Sequence, residues 1–245
     1  MSVKIEIAVF SVSDALEAFH GGADRLELCS SILEGGITPS QGAVVYTKKH
    51  VSIPVFVMIR PRGGDFVYSE TEFEVMKSDI LFCRENEIDG VVFGILKDDL
   101  SVDKEKCTEL VEMAKPMHTT FHRAFDRTAD PFKSLEDIIA CGFDRILTSG
   151  QRATAIEGKE LIKELIFKSS GRITILPGSG IDENNLEILH SFLNANEYHS
   201  SAKEIKKQKA IQNEISMSSV SNGIANEWVV SGQKVNQLKK ICEAF

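Results

Sequence analysis

Short apolar runs alternate with longer segments of helical period along almost the whole chain, and this alternation constrains the fold more than any single motif. The runs are Val3 to Val9, Arg25 to Cys29, Pro54 to Ile59, Gly90 to Leu96, His118 to His122, Arg145 to Thr148, Arg172 to Leu176 and Glu197 to His199. Between them the spacing predicts helices over Val12 to Phe19, Gln41 to His50, Ser69 to Glu87, Asp103 to Ala114, Pro131 to Ala140, Thr154 to Lys168 and Glu183 to Leu193. Ser13 and Asp14 mark the first helix start and Gly21-Gly22 its end, while Asp130-Pro131 opens the fifth helix and Gly142 closes it.

Strands of near-continuous apolar character are buried on both faces, and their alternation with helices implies a parallel sheet. Eight such units predict an α/β chain folded as one (β/α)8 TIM barrel spanning 1–245. A doubly wound open sheet is the alternative. That fold would gather polar residues near one switch point, whereas here they collect at the C-terminal ends of nearly every run, where a barrel builds its site. After the last run, 203–232 reads as an irregular segment rich in Ser, Asn and Lys, and Gln233 to Glu243 as a C-terminal helix. A connector so long suggests a cap over the barrel mouth or a contact with another subunit.

At 245 residues, 42% hydrophobic and 26% charged, the chain is an ordinary globular one. Its net charge of -8 argues against a nucleic-acid partner or an anionic membrane surface. No apolar stretch reaches the roughly 18 residues of a membrane span, and no signal-peptide layout precedes Val3, so a cytoplasmic protein is expected. The five cysteines, Cys29, Cys83, Cys107, Cys141 and Cys242, are scattered, odd in number and never spaced C-x-x-C, which argues against a disulfide framework or zinc knuckle.

Candidate chemistry lies at the strand ends. Glu6 and Glu27 sit inside apolar strands, and period two points them into the barrel if their neighbouring leucines and isoleucines face the helices. Buried carboxylates need partners, and Arg60 with His122 or Arg123 are the expected ones. In Met58-Ile59-Arg60-Pro61-Arg62-Gly63-Gly64-Asp65-Phe66, a strand ends in forked donors and flexible backbone suited to an anion, although Arg62 and Asp65 could pair simply to stiffen a turn. His122 is a candidate acid, base or ligand, joined by Arg123 and His199. Ser149 and the small residues Gly178, Ser179, Gly180 and Ser200 follow strands six to eight, where many barrels hold phosphate. Arg60, Arg62 and these residues form the candidate anion site. Cys29 at the end of its strand is the candidate soft metal ligand, with Met58 next to it in strand order. A Schiff-base lysine at a strand end, H-E-x-x-H, a Walker loop and a helix-opening G-x-G-x-x-G are all lacking.

The segments Gly22-Ala23-Asp24-Arg25-Leu26-Glu27-Leu28-Cys29, Glu34-Gly35-Gly36-Ile37-Thr38-Pro39-Ser40, Ile59 to Phe66, Thr120 to Asp126, Ile146 to Gly150 and His199-Ser200-Ser201-Ala202 together resemble the CutC copper-homeostasis family. The resemblance implies a single TIM barrel, a cytoplasmic homodimer and Cu(I) binding through cysteines. Cys29 matches one of the implied thiols, and Ala8 stands where the second would be. Two functions follow as expectations: a CutC-type protein binding a copper ion, or a barrel lyase, isomerase or hydrolase acting on a small anionic metabolite. In the second, Glu27 or His122 moves the proton. A scaffold that dimerises through its C-terminal segment is a third.

Overall fold

The computed structural model describes residues 3–206 and 227–245. Eight parallel strands follow the order β7-β6-β5-β4-β3-β2-β1-β8, a nearly closed TIM barrel in which β7 and β8 lie side by side without a shared ladder. The strands are β1 (Lys4–Val9), β2 (Arg25–Leu28), β3 (Val55–Met58), β4 (Gly90–Phe93), β5 (His118–Phe121), β6 (Arg145–Thr148), β7 (Thr174–Pro177) and β8 (Glu197–Ser200). The helices between them are α1 (Val12–His20), α2 (Gln41–His50), α3 (Glu70–Glu85), α4 (Lys104–Ala114), α5 (Pro131–Cys141), α6 (Lys159–Ser169) and α7 (Leu186–Leu193). Among the described residues no helix is long and apolar enough to cross a membrane.

Caps set the helix limits. Ser11, rather than Ser13, is the first cap, its hydroxyl accepting from the Asp14 N–H. Ser69 and Glu72 form a reciprocal capping box at α3. Helix α6 begins later than its periodicity predicts, because the chain first packs Gly158 onto Ser149 and Gly150; a Cβ on Gly158 would fall 1.9 Å from the Ser149 carbonyl oxygen. Helix α7 also starts late, delayed by a turn in which the Asp182 N–H donates to Asn185 Oδ1 and the Asn184 N–H to Asp182 Oδ1.

The segment expected to be irregular carries regular structure at both ends. Strand β9 (Lys203–Lys206) pairs antiparallel with β10 (Glu227–Val230), with Ile205 opposite Trp228. The charge of Lys203-Glu204-Ile205-Lys206 hides its strand character, and the cross-strand contact of the Lys203 ammonium, 4.5 Å from the Trp228 ring, supplies local support. The rest of that segment lies outside the described residues. Helix α8 (Gly232–Glu243) buries Val235, Leu238 and Cys242 against α1 and β1.

Period two sorts the strand residues. Leu26, Leu28, Val55 and Val57 point out to the helix layer and join the main core, whereas Cys29, Phe56, Met58 and Val92 form a separate apolar layer inside the barrel. Gly90 makes room for it: a Cβ there would stand 2.6 Å from the Phe56 ring.

Candidate functional site

The inner charges are stacked by strand register. Glu6 on β1 lies level with Arg25 on β2 and with His199 on β8. The Arg25 Nε donates to Glu6 Oε2 at 2.5 Å and its terminal nitrogen to Glu197 Oε2 at 2.6 Å, and Arg145 Nε adds a 3.1 Å contact to the same Glu197 oxygen. Both guanidinium groups lie over the Phe56 ring, at 4.8 and 5.2 Å. This buried network closes the floor of the barrel.

Above it, Glu6 Oε1 meets His199 Nδ1 at 2.6 Å, and His199 Nε2 stands 3.8 Å from Glu27 Oε2. The Cys29 thiol donates to that same Glu27 oxygen at 3.7 Å, while Glu27 Oε1 has no hydrogen-bond partner. Burial favours a neutral Glu6, but Arg25 and then His199 outweigh it and hold the carboxyl at about 2. For Glu27, burial prevails over His199, reinforced by the nearby Glu6, and pushes its carboxyl up to about 7. Burial opposes the charged form of His199, yet Glu27 and Glu6 together raise its pKa. Burial, and then the neighbouring Glu27, drive the Cys29 thiol far up, so it keeps its proton.

The expected ion pairs from Glu6 and Glu27 to Arg60, His122 or Arg123 do not form. Arg60 lies beyond the end of β3, one layer too high, and spends its fork on backbone: to the Glu34 carbonyl at 2.6 Å, Gly36 at 2.9 Å and Gly64 at 2.9 Å. It ties two loops together. His122 caps the turn that follows β5: its Nδ1 accepts from the Ala124 N–H at 3.3 Å, leaving Nε2 as the protonated nitrogen, buried and without a partner. Burial, then the Arg60 charge, lower His122 to about 3, so the neutral ring is favoured near neutrality. Arg123 is held at the rim by Asp126 at 2.8 Å and by Ser149 Oγ at 2.8 Å.

The expected anion site disperses. Arg62 pairs with Glu72 at 2.6 Å and Asp65 at 2.9 Å, stiffening its turn away from the cavity wall. The Ser149 hydroxyl is engaged by Asp126 and the Arg152 carbonyl, and Gly178 packs behind Leu147 and His199. Ser179, Gly180 and Ser200 do border the cavity, but the Ser179 hydroxyl donates to Ala153 and that of Ser200 to Ile181.

The cavity at the C-terminal mouth has a volume of about 470 Å³ and is bordered by Glu27, Met58, Arg60, Phe66, His122 and His199, with Lys203, Trp228 and Lys234 at its rim. Sequence reasoning missed Arg25, Arg145 and Glu197. The signal was present: each lies an even number of residues from an inward position, Arg25 two before Glu27 and Glu197 two before His199. Among the described residues, Glu6, Glu27 and His199 bring one donor atom each to within 4.8 Å of one another, a group able to hold a metal ion. Cys29 lies just outside it.

Residues 3–204 match the family model described as CutC family. The chain belongs to the CutC family. A copper homeostasis protein cutC homolog of Mus musculus is 51% identical over 199 residues, covering 81% of this chain and 73% of its own length. A CutC family protein of Parabacteroides distasonis is 48% identical over 206 residues, 84% of this chain and 85% of that one. The crystal structure of a CutC protein from Streptococcus agalactiae superposes with a TM-score of 0.78 at 32% identity, over 81% of this chain and 98% of the other. A phosphoribosyl anthranilate isomerase of Thermotoga maritima, at 13% identity and a TM-score of 0.58 over 99% of this chain and 100% of its own, shares the barrel fold alone. CutC membership thus agrees with the barrel and with the motifs around Cys29, Arg60 and His122.

Proposed function

We propose that this CutC protein acts in copper homeostasis and takes a copper ion as cargo at the barrel mouth, between Glu27 and His199. The observation that carries the reading is the 3.8 Å separation of Glu27 Oε2 and His199 Nε2. That is long for a hydrogen bond, yet fits two donors sharing one ion at about 2.0–2.2 Å each. Glu6 takes the outer role, accepting from His199 Nδ1 so that Nε2 faces the ion, an arrangement common behind metal-bound imidazoles. The two-thiol Cu(I) site implied by the resemblance has only Cys29 here, with Ala8 on the neighbouring strand. Cu(I) therefore draws on Cys29 and Met58 as soft donors, while the nitrogen and oxygen set favours Cu(II). All five cysteines are free and buried, which suits a reducing, cytoplasmic compartment. A homodimer belongs to the same reading.

Native mass spectrometry after titration with Cu(II), or with Cu(I) under anaerobic reduction, tests ion count and subunit number together. Glu27→Gln should weaken Cu(II) binding by about tenfold or more, and Cys29→Ser should weaken Cu(I) alone. Equal affinity in Glu27→Gln and wild type, or no copper uptake, would overturn the assignment.

One observation favours a second reading, a small anionic metabolite in the same mouth. The cavity volume is that of a small-molecule site rather than of an ion.

A further inference from the structure

The cavity of about 470 Å³ has room for much more than a metal ion. A water molecule takes about 30 Å³ in the liquid. Two features of its upper wall have no role in the copper site. The first is the His122 Nε2–H. The opposite ring edge is occupied, Nδ1 accepting from Ala124 and lying close to Gly94, while Nε2 finds no acceptor although the residue is only 3% exposed. Buried donors are rarely left unpaired in a protein interior.

The second feature is Arg60. It is 5% exposed, its terminal nitrogens bind neutral backbone carbonyls, and among the described residues it has no carboxylate partner. A buried cation without a counter-charge is costly. The Phe66 ring joins the two, with its centroid 4.8 Å from that of His122 and 4.9 Å from the Arg60 guanidinium carbon. The side chains that carry an unpaired donor, a positive charge without a carboxylate partner and an aromatic face thus border one cavity.

We propose that the upper part of this cavity binds a small organic oxyanion. One charged oxygen accepts from the His122 Nε2–H in the field of Arg60, and the carbon body lies against Phe66 and Met58. This deepens the second reading above and is independent of copper. The role of His122 changes with it: the side chain is a fixed neutral donor, held in one tautomer by Ala124, and moves no proton. A carboxylate or a phosphate monoester satisfies the same chemistry.

Trp228, the single tryptophan of the chain, borders the cavity and reports its occupancy by fluorescence. The full chain is titrated in the presence of chelator with pyruvate and oxalate in one arm, glycerol 3-phosphate in a second and neutral glycerol in a third. Saturable binding in an anion arm, with the affinity falling about tenfold or more in His122→Phe, is the expected result. The arm that saturates names the oxyanion. No saturation in either anion arm at millimolar concentration, equal binding by glycerol, or unchanged affinity in His122→Phe would each overturn the proposal. Should His122→Phe fail to fold, ¹⁵N-histidine NMR of the wild type replaces it. There the His122 Nε2 resonance should shift on saturation, and its constancy would also overturn the proposal. Copper is titrated without organic anions and the anions without copper, so either reading can fail while the other stands.

Discussion

Replacing Glu27 by Gln should stabilise the protein at alkaline pH, although the residue sits at the heart of the candidate site. Its carboxyl titrates at about 7 in the fold against 4.5 in the unfolded chain, because burial, with Glu6 close by, opposes the anion. The folded state therefore holds this proton more tightly than the unfolded state does. The resulting stability is complete below pH 4.5 and is lost as pH rises through 7. Each pKa unit corresponds to about 1.4 kcal/mol, so the stability lost through Glu27, relative to acid pH, is near zero at pH 4, about 2 kcal/mol at pH 6 and about 3 kcal/mol at pH 8. Gln keeps the shape and an acceptor for the Cys29 thiol but never ionises. It also forfeits the attraction to His199, so about 3 kcal/mol is the upper limit of the gain. Urea unfolding of both proteins at pH 4.5, 6 and 8, with chelator present, measures the difference. A gain that grows with pH supports the reasoning. A difference independent of pH, or a loss that deepens towards pH 8, would refute it and show that Glu27 is ionised at little cost. A carboxylate kept at such a cost fits the general exchange of stability for function at a binding site.

Two further substitutions probe the floor. Arg25→Ala leaves Glu6 and Glu197 without their shared cation and should cost about 3–5 kcal/mol in denaturant unfolding. Glu6, held at about 2, adds stability above pH 4.5 that fades as pH falls towards 2. Arg25→Ala should flatten that acid limb, and an unchanged limb would show that Arg25 does not set it. Gly90→Val would drive side-chain atoms into Phe56, which is 1% exposed and pressed beneath two guanidinium groups. A loss of about 1–3 kcal/mol or more by thermal unfolding is expected, and wild-type stability would disprove tight packing there.

The sequence by itself determined the barrel, because strand and helix periods are local and each of the eight parallel strands falls on one of the apolar runs. It also determined that Glu6 and Glu27 face inward, since alternation along a strand needs no knowledge of neighbours. Only the tertiary structure decided whom they meet. Register between strands sets the height of each side chain, and it places Arg25 and His199, not Arg60, level with Glu6. The same stagger leaves Arg60 above the carboxylates, bound to loop carbonyls that no periodicity could indicate. His122 shows the difference most clearly. Its residue type suggested proton transfer, but burial, the Arg60 charge and the Ala124 N–H make it a neutral donor, and all three are properties of the folded cavity.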